Sequence, residues 1–401
     1  VTSDFLFETG MSVLGMQERR KVRVYVRQDA YGRFFSVLVY LPRDRYTTTV
    51  RLSIQSILME MLGGVNVDYT TSVSESLLAR LAFIIRVDSS SRMADVDLDA
   101  LQTRVRAAVR SWDDDFAEAL VAEVGEEQAA RMRSYAAGLP DAYREVYSPR
   151  GAVADVRTWE SLPDNDGLAV SLYEPLDPGA GERRFKVFRT GTPVTLLEVL
   201  PILASLDVQV VDEHPFAVPR PGRTTAYVYD FGLKLRKVAT IPDVETLPER
   251  FSESFVASFT GEREPDATLG LVTRAGLTWR QSTYVQAWVH YARQIGSPFS
   301  YRSFAETLIS HPEWVTLIID LFETRHDPDR NVDRVAQGHT LDEAISAQLD
   351  QVASLDNDRI LRQIIGIVSA ILRTNAFQTH KDGTLKRWLS FKLDSRAIAG
   401  M

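Results

Sequence analysis

Hydrophobic residues dominate positions 22–26 and 34–41 with the short period of strands, and the polar stretch QDAYGR between them reads as a turn. The period then changes. Val50, Ile54, Ile57, Leu58 and Met61 recur at helical spacing, giving one apolar stripe that Gly63 and Gly64 bring to an end. Strand-like runs return over 65–73 and 77–87, so this part predicts a β-α-β-β unit with one helical layer on one sheet face. From residue 97 to 147 the spacing is helical again. Leu98, Leu101, Val105, Ala108 and Trp112 step by three and four, and WDDDFAEALVAEVGEEQAARM continues the helix.

The strand and helix theme is then repeated. GLAVSLYEP and RRFKVFRTG read as paired strands joined by the loop LDPGAGE, TPVTLLEVLPILASLD as a helix, and VQVVDEHPFAV and TTAYVYDFGLKL as two further strands. Two halves with one order of elements and no evident identity suggest duplicated small sensory domains. From Pro242 the pattern predicts helix to the end of the chain. Its most continuous apolar run, 364–372, predicts a buried helix, since spanning a bilayer takes about 20 residues.

Composition narrows the possibilities. A chain of 401 residues favours two or three domains, and 45% hydrophobic with 25% charged residues is ordinary for a globular protein. The net charge of −8 has the wrong sign for a protein that gains affinity by displacing counterions from phosphates, so no nucleic-acid partner is expected. Cysteine is absent, which removes disulfides and thiolate zinc sites and permits a reducing compartment. The first residues, VTSDFLFETG, lack the basic start and apolar run of a signal peptide and carry no initiator Met. A cytoplasmic, excised segment with no membrane partner is therefore expected.

Chemistry is sparsely signalled. No G-x-G-x-x-G opens a helix, for GAGE lies between strands and TGTP supplies one glycine, and there is no phosphate loop of the G-x-x-x-x-G-K type. The six histidines are scattered, and none forms an i, i+4 pair. In SHPEW, Ser310 and Pro312 read as the cap and first turn of a helix around His311. The stretch DPDRNVD alternates Asp327, Asp329, Asn331 and Asp333 as a calcium loop does. Yet Val332 stands where Gly is required and Gly338 where the closing Glu belongs, so it reads as a solvated loop. Asp113 to Asp115 have no second acidic cluster to complete an oxygen shell, and suit a solvated helix start. No Ser lies in a G-x-S-x-G elbow. Neither catalytic nor metal-ligating residues are assigned.

Longer blocks carry a resemblance. QERRKVRVYVRQDAYGRFFSVLVYLPRDRYTTTVR, LFETRHDP, SLDNDRILRQIIGIVSAILRTNAFQ and the following FKLD are similar to segments of the large, bacterial-type NAD-specific glutamate dehydrogenases. His326 departs from that pattern, standing where the family has Phe. The resemblance implies an α+β fold: tandem ACT-like units, ferredoxin-like antiparallel sheets with helices on one face, followed by an α-helical region. It implies a first ACT-like domain over 1–96, a helical connector over 97–150, a second ACT-like domain over 151–242 and a helical domain over 243–401. The catalytic domain is expected to begin where the chain stops, so no cofactor is expected in this segment, while NAD is implied for the parent enzyme. Implied partners are the parent's own catalytic domain, further copies of the chain in a homo-oligomer, and an amino-acid effector.

ACT-like units are similar to domains that bind amino acids at a strand-to-helix corner. In the second unit that corner is RTGTPVT, where Gly191 lets backbone N–H groups approach a carboxylate, Thr192 offers a hydroxyl, and Pro193 and Thr195 lead into a helix. An ordinary strand-to-helix corner has the same residues. In the first unit the corner is LPRDRYTT. Arg43 and Arg45 either fork onto a ligand carboxylate or pair with Asp44 and acids of a neighbouring domain or subunit. Structural pairing is expected here, because Pro42 and the short spacing fix the direction of the chain. The apolar helix at 360–372 suits a second reading, an assembly scaffold, since such a helix must be buried somewhere.

Overall fold

The computed structural model describes residues 22–72, 77–88, 96–175, 178–179, 181–220, 222–235 and 245–398. The chain forms two compact units, one running to Ala137 and resuming over Asp141–Asp155, the other comprising Gly138–Pro140 and the chain from Val156.

In the first unit, β1 (Arg23–Gln28), β2 (Phe34–Pro42), α1 (Thr48–Leu62), β3 (Gly64–Ser72), β4 (Leu78–Val87) and α2 (Leu98–Val109) follow in order. The strands make one antiparallel sheet in the order β1-β2-β4-β3. Alternation decides its faces. Phe35, Val37, Val39, Leu81, Phe83 and Ile85 point to one side and are fully buried against Ile54 and Leu58 of α1 and Leu101 and Val105 of α2. Each such side chain contributes about 1.5–3 kcal/mol by leaving water. Helix α1 starts at Thr47, whose Oγ1 accepts from the Val50 amide at 3.1 Å, and stops at Gly63 in the left-handed conformation at φ 66°.

Helix α2, which follows residue 96, belongs to this core. It also guards the sheet edge. Gln102 accepts from the Val24 amide at 2.9 Å and donates to the Val22 carbonyl at 3.1 Å, occupying backbone groups that an edge strand leaves open. Beyond it, α3 (Trp112–Met132) has the predicted extent but is broken at Gly125, whose φ of 77° and ψ of 167° are not helical. Short helices α4 (Tyr135–Gly138), α5 (Asp141–Val146) and α6 (Pro149–Ser161) follow.

The second unit repeats the arrangement with β5 (Leu168–Tyr173), β6 (Glu182–Thr190), α7 (Leu196–Ser205), β7 (Val208–Val218), β8 (Ala226–Leu235) and α8 (Leu247–Phe259). Its sheet order is β5-β6-β8-β7, the counterpart of the first. Phe185 anchors the core, its ring meeting Phe251 at 5.1 Å and Phe255 at 4.9 Å, both edge-on.

A helical region completes this unit: α9 (Leu271–Ala275), α10 (Trp279–Gln294), α11 (Tyr301–Ser310), α12 (Pro312–His326), α13 (Arg334–Leu349) and α14 (Leu355–Ser369). Its core gathers Trp288, Phe304, Trp314 and Phe322 with Leu361 and Ile364. At its entrance lies a buried polar junction. The fully enclosed Arg263 donates to Asp266 at 3.2 Å, Thr268 Oγ1 at 2.9 Å and Ser282 Oγ at 3.0 Å.

Helix α14 is buried as expected, placing Ile360, Leu361, Ile364, Ile367 and Val368 within its own core, but it is amphipathic, with Arg362 pairing with Asp358 at 2.8 Å on the other side, and it ends at Ser369, short of residue 372. The chain is also not helical to its end. After Ser369 the period shortens to that of a strand, and β9 (Ile371–Thr374) pairs with β10 (Phe391–Leu393). Among the described residues no helix is long and apolar enough to cross a membrane.

Candidate functional site

The first corner opens onto a hollow. Strand β2 ends at Pro42, a single tight turn covers Arg43–Arg45, and Thr47 starts α1. Beside this turn lies a cavity of about 490 Å³, lined by Val22, Pro42 and Val109 and by the charged side chains Arg23, Asp44, Arg45, Arg106, Arg110 and Asp114. They come from the start of β1, the corner itself, the end of α2 and the start of α3.

Several of these charges are already committed. Arg45 grips Asp114 with both prongs, Nη1 to Oδ2 at 2.5 Å and Nη2 to Oδ1 at 3.0 Å. The same carboxylate accepts from the Ser111 amide at 3.2 Å, while the Ser111 hydroxyl accepts from the Asp114 amide, closing a capping box at the start of α3. The Arg45 hydrogen bond, ahead of the backbone donor at Ser111, holds Asp114 below the usual carboxylate range; burial opposes this. Arg110 is likewise engaged, with Asp115 at 2.6 Å and with Glu118. Arg144 reaches Asp113 at 3.3 Å, so each carboxylate of the acidic triplet meets an arginine.

Two cations remain. Arg23 and Arg106 line the cavity, are exposed, and have no ion-pair partner among the described residues. Arg43 is exposed at the turn, its amide donating to the Leu77 carbonyl at 3.0 Å. The hollow therefore combines uncommitted guanidinium groups with a nearby carboxylate, Asp44, a set suited to a small zwitterion or anion.

The second corner is closed by comparison. Gly191 has φ 80°, and a Cβ there would stand 3.2 Å from the Asp164 carbonyl oxygen and from Asn165 Oδ1. Its amide donates to the Thr225 carbonyl at 3.0 Å, the Thr192 amide to the Thr190 carbonyl at 3.1 Å, and the Val194 amide to Tyr229 Oη at 3.0 Å. The Thr195 amide donates to Glu198 at 2.8 Å, and Pro193 has no N–H to give. An anion reaching this corner must first displace one of these bonds.

The remaining sequence candidates have local roles. His311 lies between α11 and α12 with Nδ1 2.8 Å from the Thr307 carbonyl, and Pro312 opens α12. Asp333 caps α13 through the Val335 and Ala336 amides, while Asp327 accepts from the Asp329 amide at 2.9 Å. Among the described residues no three His, Asp or Glu side chains gather as a metal site. His326, in the aromatic neighbourhood of Phe322 at 5.1 Å, is held below its usual pKa by burial first and by Arg325 and Arg334 next.

Two successive units with four-stranded antiparallel sheets of matching order, each packing two helices in one core on one face and followed by a helical region, define a tandem ACT-like architecture. Comparison with known proteins makes this specific. Residues 23–113 match "Glutamate dehydrogenase, ACT2 domain" and residues 167–245 "Glutamate dehydrogenase, ACT3 domain". Helical motifs 2 and 3 of glutamate dehydrogenase match 119–162 and 264–328, and "Bacterial NAD-glutamate dehydrogenase, catalytic domain" matches 344–401. The chain belongs to this family of large NAD-specific glutamate dehydrogenases.

It is 36% identical over 399 residues to the NAD-specific glutamate dehydrogenase of Pseudomonas aeruginosa, covering 98% of this chain and 24% of that protein. The Halomonas elongata protein of that name is 33% identical, covering 99% of this chain and 24% of the relative, and the Mycobacterium tuberculosis one 34%, covering 98% and 25%. The chain thus spans about a quarter of the length of the curated relatives it matches. The catalytic-domain match starts at residue 344, earlier than the sequence reading placed it. As for NAD, both four-stranded sheets are antiparallel, and no parallel strand-helix-strand crossover with a glycine turn occurs among the described residues. These residues do not fit a dinucleotide cradle of that kind.

Proposed function

We propose that this chain is the regulatory and assembly portion, with the first stretch of the catalytic domain, of an enzyme that oxidatively deaminates glutamate to 2-oxoglutarate with NAD. Its first ACT-like unit binds an amino-acid effector in the hollow at the LPRDRYTT corner. The observation that carries this reading is the pair of uncommitted arginines, Arg23 and Arg106, in a cavity of about 490 Å³ beside Asp44. A free amino acid presents a carboxylate to the guanidinium groups and an ammonium to the acid.

The test is thermal unfolding of the chain against a panel of common amino acids at millimolar concentration. A ligand at about 100 times its dissociation constant adds about 2.7 kcal/mol to stability. A selective rise in melting temperature that disappears in Arg106→Ala supports the reading. A rise unchanged in both Arg23→Ala and Arg106→Ala sinks it.

The second unit favours an assembly role with other copies of the chain or with the rest of the enzyme. Its corner is closed by its own hydrogen bonds, and its helix α7 leaves Leu196, Leu197 and Leu200 exposed at 45%, 84% and 37%.

A further inference from the structure

A second hollow, of about 630 Å³, lies in the helical region between the start of α10 and the loop that joins β9 to β10. Its charged lining is lopsided. Arg280, Lys386 and Arg387 line it together with His380, and Glu262 is the only carboxylate among the described residues of its wall. Lys386 and Arg387 have no ion-pair partner among the described residues, and the nearby Asp382 is occupied with the Thr384 hydroxyl at 2.6 Å.

Two further observations point to a ligand. Arg280 is 7% exposed; one Nη donates to the Lys386 carbonyl at 2.7 Å, and its buried Nε–H has no partner among the described residues. An unpaired donor enclosed beneath the wall of a cavity carries a cost that is removed only where an acceptor oxygen reaches it. Trp279 lines this hollow and also the adjoining one of about 540 Å³, so its half-buried indole is reachable. Ring and guanidinium are already neighbours, with the Arg280 Cζ 6.0 Å from the Trp279 ring centroid.

We propose that this hollow binds a nucleoside phosphate, the base lying against Trp279 and the phosphate oxygens accepting from Arg280, Lys386 and Arg387. A bare anion uses the cations alone and leaves the indole idle; a neutral aromatic leaves the excess charge uncompensated. A phosphate carrying a planar ring satisfies both. The size of the hollow is that of ordinary small-molecule sites. This inference is independent of the effector hollow in the first unit.

The test is calorimetric titration of the whole chain with ADP, adenosine and pyrophosphate, alongside quenching of tryptophan emission. ADP should bind at least about tenfold more tightly than either fragment. The exposed double substitution Lys386→Ala with Arg387→Ala should weaken ADP by about tenfold or more, and Trp279→Leu should reduce ADP to the affinity of pyrophosphate. Circular dichroism checks that each variant is folded, and the double substitution keeps the test decisive if Trp279→Leu is not. The proposal is overturned by absence of ADP binding at about 5 mM, by equal affinity for ADP and pyrophosphate, or by ADP binding that the double substitution leaves unchanged.

Discussion

The Arg45–Asp114 contact makes a test of whether the first corner is a joint or a ligand clamp. The pair is part-exposed, with 27% of the Arg45 side chain and 46% of that of Asp114 accessible, so solvent screening limits its worth. A two-pronged contact of this exposure contributes about 0.5–1 kcal/mol. Asp114 also accepts from the Ser111 amide, so Asp114→Ala removes part of the α3 cap as well, for a total of about 1–2 kcal/mol. Once Asp114 is gone Arg45 has nothing to hold. The double variant should therefore resemble Asp114→Ala alone, with a coupling energy of about 0.5–1 kcal/mol. Global unfolding of a chain with several domains does not localise a change this small to one helix turn, because its transitions need not be two-state. Amide hydrogen exchange at the first turn of α3 reads the local opening directly, and Arg45→Ala should accelerate it by about two- to fivefold. The effector response should survive. Unchanged exchange in Arg45→Ala, with the amino-acid response abolished, would refute the joint and make Arg45 a ligand group.

Two more outcomes are expected. For His326→Phe, the folded-state pKa of His326 lies below the unfolded value of about 6.5, so the unfolded chain binds more protons between the two values. That residue's contribution is complete above about pH 6.5 and is lost as pH falls toward the folded value. His326→Phe should raise the melting temperature more at pH 5 than at pH 8, and an equal gain at both would count against the burial argument. Arg263→Ala removes the enclosed guanidinium from Asp266, Thr268 and Ser282, while Asp266 keeps the Thr268 amide, Gln286 and Tyr301 as donors, and should cost about 1–3 kcal/mol, seen as a lower denaturation midpoint of the helical region. A loss under about 1 kcal/mol would show that the junction is not stabilised by this guanidinium.

Local pattern was a good guide where it controls structure. The stripe from Val50 to Met61 and the glycine that ends it became α1 and its Gly63 cap, and the burst at 34–41 became β2, Phe34–Pro42. In the second unit the predicted order of strand, strand, helix, strand, strand is the observed one. What stayed hidden depends on distant partners. Gln102 clamping the start of β1, 78 and 80 positions away in sequence, leaves no periodic trace. The β9–β10 pairing was overrun by the apolar signal of α14, because a four-residue strand is too short to stand out from an adjacent helix. At the first corner, Pro42 and the charged turn were visible in the sequence, but Arg23, Arg106 and Asp114 arrive from other elements. In the second unit, nothing in RTGTPVT announces that the Thr225 carbonyl and the Tyr229 hydroxyl take its donors.

The two units therefore separate fold from function. Sheet order, helix placement and core are matched, yet one corner presents unspent cations over a hollow and the other spends its amides on itself. The difference traces to how the strand is left. In the first unit Pro42 sends the chain into a tight turn that projects side chains outward, whereas in the second Gly191 adopts φ 80° and folds the backbone against Asp164 and Asn165. A backbone pressed that closely leaves no room even for a Cβ without displacement, so a ligand carboxylate needs the corner to open. Binding at the second corner would thus carry the cost of breaking native hydrogen bonds, while binding at the first would not. On the proposed reading an effector that discriminates between the units favours the first, and the exposed α7 leucines of the second are left for contact with protein.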